Sequence, residues 1–400
     1  MPLRIGLIGA GANTASQHIP GFRRNEGVEV SGVANRSVAS SRRIADQFGI
    51  ATVFDSPEAL CASPEIDAVC IGTWPYKHRE FTIMALEAGK HVLCEARMAR
   101  DLGEAEDMLA AAERHPGLVS QLVPAPFDFR LGPTITRLIS EGALGDVLEV
   151  AVTVLNGSAI DPAVPLHWRQ RADYSGKNVM MFGIFVEVIH RWLGDHADVL
   201  ASGDIVVPRR LDAETGQQAP VTVPDIYIVS GHLARGARIA YHFSSVAAGG
   251  DASTIVVFGS KATLRWRMGD TAVIQPHGGQ TAEVTPDLGT DRGWKVEEDF
   301  VASIRAGAPV RLTSFGDGVR YMRVIEAAHN SYTNGTKQSV WRRPPRHIPT
   351  RPECQRGQPR PGPRGARSSN PHSAGSSSSG SARMTRSGRT VEPVGNPVPA

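Results

Sequence analysis

Apolar and polar positions along this chain follow two rhythms, and the change between them falls near residue 124. Over the first 125 residues, short runs rich in β-branched residues recur at RIGLIGA, VEVSGVA, ATVF, IDAVCIGT, HVLCEA and LVSQLV. Their apolar positions are continuous rather than alternating, as expected of strands buried on both faces. Between them lie the helical stretches SVASSRRIADQFG, PEALCAS, YKHREFTIMALEAG and LGEAEDMLAAAERH. Strands alternating with helices predict a parallel sheet covered on both sides.

After Pro124 the pattern changes. LGPTITRLISEGALG predicts a helix stopped by glycine. GDVLEVAVTVLNG follows with period two, and DIYIVSGHL, ARIAYHFSSV, STIVVFGS and ATLRWRMG predict an antiparallel sheet with Gly-rich turns. Helices expected near 294–306 and 315–333 would cover one face of that sheet. The expected organisation is an α/β domain over 1–124 and an α+β domain with a large, mainly antiparallel sheet over 125–345.

Composition changes the picture at one end only. Hydrophobic residues make up 41% of the 400 and charged residues 21%, ordinary values for a soluble globular protein. From residue 346 to 400 the chain turns to Pro, Arg, Ser and Gly, and such a segment is expected to be a disordered tail. That tail holds nine arginines against two glutamates, which more than accounts for the formal charge of +3. The folded part is therefore acidic, and no nucleic-acid partner is expected. The four cysteines lack paired metal spacing, so neither a metal site nor a disulfide framework is expected. No apolar run approaches the roughly 18 residues of a membrane span, and the N-terminus does not read as a signal peptide. The protein reads as cytoplasmic.

The first candidate chemistry is GAGANT, residues 9–14, between the first strand and a helix. Gly9 suits a tight turn, and Gly11 lets backbone approach a pyrophosphate at the helix N-terminus, with Ala12 and Asn13 beside it. This makes the first domain a Rossmann dinucleotide site. Its third fingerprint position is Thr14 instead of Gly or Ala. The second strand ends in Asn35, Arg36 and Ser37 where an NAD site usually places an acid on the ribose 2′-OH. A cation here favours a 2′-phosphate, hence NADP over NAD.

Several segments in order, IDAVCIGTWPYKH, ALEAGKHVLCEARMA, LISEGALGDVLEV, HWRQ…SG and RVIEAAHNSYTNGTKQSV, resemble the Gfo/Idh/MocA oxidoreductases over residues 3–342. The resemblance implies a nicotinamide cofactor, a small polyhydroxylated substrate of the sugar or cyclitol kind, and a homo-oligomer, dimer or tetramer. By position it places Thr73, Trp74, Pro75 and His78 along the cofactor cleft and Glu95 near the nicotinamide ribose. Family members usually end the fifth strand in Glu-Lys-Pro, with the lysine assisting proton transfer. Here the tripeptide is Glu95, Ala96, Arg97. The family's helix Asp and His fall on Met181 and Phe185, both apolar. Glu187 and His190 lie on a neighbouring face of that helix, where Glu187 can instead pair with Arg191.

Hydride transfer from an alcohol still needs a proton acceptor. The candidates are His167, Tyr174 and His190, in that order, with a bound water as fallback. Arg97, Arg169 and Asn178 are candidates to orient substrate, and Lys177 lies in the same donor-rich loop, HWRQRADYSGKN. Two alternatives stand beside the oxidoreductase: a catalytically silent dinucleotide-binding homologue, and non-redox glycoside cleavage that uses NAD transiently.

Overall fold

The computed structural model describes residues 1–250 and 253–341, so the expectation for the 346–400 tail lies outside the described residues. The six early runs form one parallel sheet from β1 (Leu3–Ile8), β2 (Val28–Ala34), β3 (Thr52–Val53), β4 (Ala68–Ile71), β5 (His91–Cys94) and β6 (Ser120–Leu122). Its order is β3-β2-β1-β4-β5-β6, the doubly wound arrangement. A π-helical turn, Thr14–His18, runs into α1 (Ile19–Arg23). The remaining crossovers carry α2 (Val38–Phe48), α3 (Pro57–Ala62), α4 (His78–Glu87) and α5 (Leu102–Arg114). Ser37, Ser56 and Asp101 cap α2, α3 and α5, each side chain accepting the N–H three residues on. All four residues of β4, AVCI, are buried, which is why that strand reads as one apolar run.

Beyond β6 come α6 (Gly132–Ser140) and β7 (Val147–Leu155), then the short α7 (Ala172–Ser175) and α8 (Phe182–Leu193). The second sheet adds β8 (His196–Asp204), β11 (Ile226–Leu233), β12 (Arg238–Ser244), β13 (Ser253–Gly259), β14 (Ala262–Arg267), β15 (Thr271–Pro276) and β16 (Ala282–Glu283), and β9 (Arg209–Asp212) and β10 (Gln217–Pro220) form a separate hairpin. After α9 (Val296–Ala306) and α10 (Phe315–Asn334), β17 (Gln338–Ser339) closes the sheet on β8. Pairing is antiparallel except where β7 meets β12 in parallel.

One face of this sheet carries α8. Phe182 packs on Tyr227, Tyr241 and Phe243, and Phe185 on Phe243 and Trp266. The outer face keeps Leu148, Leu200, Ile228 and Phe258 exposed. Helix α9 returns to the first sheet: Val296, Phe300 and Val301 share a core with Ile5, Leu7 and Phe22. The strand β8 carries no clear alternation in HADVLASGD, because its ends are polar and its outward Leu200 is exposed. It is held instead by eight register pairs to β11. No described helix is long and apolar enough to cross a membrane.

Candidate active site

The carboxyl ends of β1, β4 and β5 bring together the loops that sequence spacing singled out. Gly9 has φ +76°, and a β-carbon there would stand 2.4 Å from Thr73 Cγ2, so this turn needs glycine. A β-carbon at Gly11 would meet nothing within 4 Å. Gly11, Ala12 and Asn13 are exposed at the start of the first helix, an open backbone cradle that fits a pyrophosphate. The Thr73 hydroxyl is buried without a partner beside it. Asn35 holds the turn from behind, its Oδ1 accepting the Ala10 N–H at 2.6 Å. Ser37 is the cap of α2. Arg36 is exposed, and its guanidinium pairs with Glu214, in the turn of the β9–β10 hairpin, at 2.8 Å.

Glu95 leaves β5 into a network that sequence reading did not find. Its Oε1 accepts from His18 Nε2 at 3.0 Å and from the Asn13 amide, and its Oε2 faces the Ala96 N–H at 3.1 Å. His18 Nδ1 donates to Glu297 Oε1 at 2.6 Å, and Trp294 donates to Glu297 Oε2 at 2.9 Å. Burial opposes a charge on His18, but the bonds to Glu297 and Glu95 outweigh it and lift its pKa to about 9. Burial pushes the Glu95 carboxyl up, yet His18 and Asn13 hold it below the ordinary carboxylate value. A fully buried imidazolium thus sits between two carboxylates, and one of them faces the dinucleotide cradle.

The loop after β4 joins an aromatic cluster. Trp74 stacks on Trp168 with ring centroids 5.5 Å apart and planes 13° from parallel, and Tyr174 lies 5.1 Å from Trp74 and 5.0 Å from Tyr76. Arg169 lies over the Trp168 ring at 4.2 Å and Arg171 over Tyr174 at 4.1 Å. Pro75 is buried at the head of the turn Pro75–Lys77 and fixes Trp74 against this cluster. Arg97 is only 2% exposed. Its stem crosses α8 at Gly183, where a β-carbon would stand 2.7 Å from Arg97 Cδ.

Several expected site residues do other work. His78 does not line a cleft: it is fully buried, with Nε2 on the Thr73 carbonyl at 2.8 Å and Nδ1 on that of Arg97 at 2.9 Å. Burial keeps its pKa down, and it ties the β4 and β5 loops together. His167 is the cap of a short turn, its Nδ1 accepting the Arg169 N–H at 3.2 Å in a reciprocal pair with Gln170. That lone pair is therefore taken, and desolvation with the Arg169 charge lowers its pKa to about 4.

His190 also leaves the site. Its Nε2 meets His196 Nδ1 at 3.1 Å, His196 bonds the Tyr241 hydroxyl at 2.8 Å, and burial takes the His190 pKa to about 3. It stands seven residues along α8 from Gly183, roughly 10 Å of helix rise. Asn178 is fully buried, its amide donating to the Ala99 carbonyl at 2.9 Å and the Ser175 carbonyl at 2.6 Å, and so braces the loop instead of reaching a ligand. Lys177 pairs with Glu326. Phe185 is wholly buried, and Glu187 pairs with Arg191 while accepting the Thr313 hydroxyl at 2.6 Å. Among the described residues no group of three or more His, Cys, Asp or Glu side chains is placed to hold a metal ion.

Comparison with known proteins agrees with this architecture. The NAD-binding Rossmann-fold model of the GFO_IDH_MocA oxidoreductase family matches residues 3–122, and the GFO/IDH/MocA C-terminal domain matches 134–265. A 1,5-anhydro-D-fructose reductase of Ensifer adhaerens is 40% identical over 44% of this chain and 52% of its own length. A levoglucosan dehydrogenase of Pseudarthrobacter phenanthrenivorans is 27% identical over 51% of this chain and 56% of its own. The chain thus spans about half the length of these two relatives. The crystal structure of an oxidoreductase domain protein from Kribbella flavida aligns with TM-score 0.75 at 26% identity, covering 85% of this chain and 99% of that one. The chain belongs to the Gfo/Idh/MocA family of NAD(P)-dependent oxidoreductases.

Proposed function

We propose that this protein moves a hydride between a nicotinamide dinucleotide and a secondary hydroxyl or carbonyl of a sugar-like substrate. The observation that carries this reading is the ionised Glu95, braced by Asn13 and His18 beside the open Gly11 cradle. Gly9, Gly11, Ala12 and Asn13 would hold the pyrophosphate, and Thr73, Trp74 and Glu95 would border the nicotinamide end. The cofactor supplies the hydride acceptor or donor when bound. The chain's own residues orient the substrate against it and keep bulk water away with the Trp74–Trp168 stack. The names of the reductase and dehydrogenase relatives support a sugar as substrate. Arg36 favours NADP. The exposed Leu148, Leu200, Ile228 and Phe258 on the second sheet favour a homo-oligomer through that face.

Of the acid–base candidates, Tyr174 remains beside Trp74; its hydroxyl can donate to the substrate oxygen, and a water in the cleft takes the alcohol proton and passes it to bulk solvent. A second reading, the catalytically silent homologue, is favoured by Ala96 at the lysine position and by the buried Phe185 at the histidine position. One experiment separates them. The full chain is titrated with NADP and NAD by tryptophan fluorescence, then incubated with a pool of sugars, glycosides and cyclitols. Reduced nicotinamide with one sugar two mass units lighter supports the dehydrogenase. Dinucleotide binding without any turnover selects the silent homologue, and absence of dinucleotide binding refutes both.

A further inference from the structure

The charge balance of the cleft is open on the positive side. Two arginines of the described structure, Arg97 and Arg210, are buried and Arg191 is largely so; Arg191 and Arg210 find partners within the chain. Arg191 pairs with Asp128 and Glu187, and Arg210 donates to the carbonyls of Ala159, Asp161 and Val164. Arg97 is different: Arg210 also leaves its Nε unpartnered but donates through its terminal nitrogens, whereas Arg97 pairs with no carboxylate or carbonyl, and the charged or titratable groups that act on it are Arg169 and Tyr321, neither an anion at neutral pH. Burial first and the Arg169 charge second pull its pKa down to about 9, which leaves it cationic at pH 7. Arg169 rests on the Trp168 ring, and the one carboxylate whose charge acts on it, Glu95, is already committed to Asn13, His18 and the Ala96 N–H. On the facing helix the acid Glu187 is already committed to Arg191, the Thr313 hydroxyl and the Ala125 N–H, and Phe185 is apolar.

A buried guanidinium without a counter-charge is costly, and a ligand that supplies one recovers that cost on binding. We propose that the substrate of this cleft carries a carboxylate, held between Arg97 and Arg169. The planar donor forks of two arginines match the planar carboxylate, whereas a neutral hydroxyl would leave the charge unpaired. This rests on the oxidoreductase reading of the same cleft and deepens it: the substrate is a sugar acid.

The test is calorimetric titration of the full chain, with and without saturating NAD, using D-glucuronate, D-glucose and D-glucose 6-phosphate. Glucuronate is expected to bind at least tenfold more tightly than glucose, and the preference is expected to vanish in Arg169→Gln. Preference for the phosphate in place of the carboxylate would overturn the sugar acid and leave a sugar phosphate. Equal, weak or absent binding of all three would overturn the proposal. Arg97→Met supplies a readout independent of the sugar: loss of an unpaired buried charge should raise the unfolding midpoint, while a drop would mean that the guanidinium is satisfied within the chain and would count against the proposal. Failure of NAD to bind in the same cell would sink the oxidoreductase reading but not the anion site, which the titrations without NAD judge separately.

Discussion

The His18 network makes a prediction about stability that can be worked through in sign and size. Both ring nitrogens face carboxylates, Nδ1 on Glu297 at 2.6 Å and Nε2 on Glu95 at 3.0 Å, so both must donate and the ring must be an imidazolium. Its pKa stands at about 9 in the folded chain against 6.5 for the unperturbed group. A raised folded pKa stabilises fully below the unfolded value and is lost as pH climbs through the folded one. The window is therefore pH 6.5 to 9. The separation converts to about 3 kcal/mol.

The perturbation is His18→Gln, which keeps a donor of similar reach and removes the titration. Urea unfolding of both proteins at half-unit steps from pH 6 to pH 9.5 gives two stability curves. Groups other than His18 titrate in both and cancel in the difference. The advantage of wild type over the variant should shrink by about 3 kcal/mol across that window. Parallel curves would refute the charged bridge and leave His18 as an ordinary packed ring. The same variant should weaken dinucleotide binding, because Glu95 then loses its firmest support.

The other predictions concern residues whose roles the structure reassigns. Glu214→Gln frees Arg36, and NADP affinity should rise by a few-fold, the scale of an exposed ion pair, with NAD affinity unchanged in fluorescence titration. Phe185→Ala should cost about 3–5 kcal/mol in urea unfolding, since the ring is wholly buried against Phe127, Phe243 and Trp266. A loss below about 1 kcal/mol would mean that the ring lies in a cleft and is not part of the core. Ala96→Lys places an acid–base group at the end of β5 and should raise turnover about a hundredfold, the lower end of general acid–base effects. An unchanged rate would show that the proton already has an acceptor.

What the sequence made legible was local. The six strands of the first sheet, the helices between them and the Gly9 turn follow from periodicity and from one backbone angle. The cap at His167 was not legible in the sequence, because a histidine is outside the Ser/Thr signature of a capping box. Nor was the network around Glu95, because His18 lies 77 residues from Glu95 and 279 from Glu297, and nothing in either neighbourhood announces the other. Histidine spacing also misled. His78 and His190 are residue types that do chemistry, but their partners are backbone carbonyls and a second buried histidine, and spacing along the chain carries no sign of either.

The two charges that leave β5 have opposite fates, and this explains the unusual tripeptide better than either residue alone. Glu95 is answered from inside the chain by an amide, an imidazolium and a backbone N–H. A carboxylate so committed has little left with which to neutralise a second cation. Arg97, two residues on, packs its stem beneath Gly183 and feels the charge of Arg169. Ala96 offers no proton carrier between these two charges, and no carboxylate pairs with Arg97. A buried unpaired guanidinium costs stability that an apolar side chain of similar length would not. A ligand that brings its own negative charge gives that residue a reason to remain.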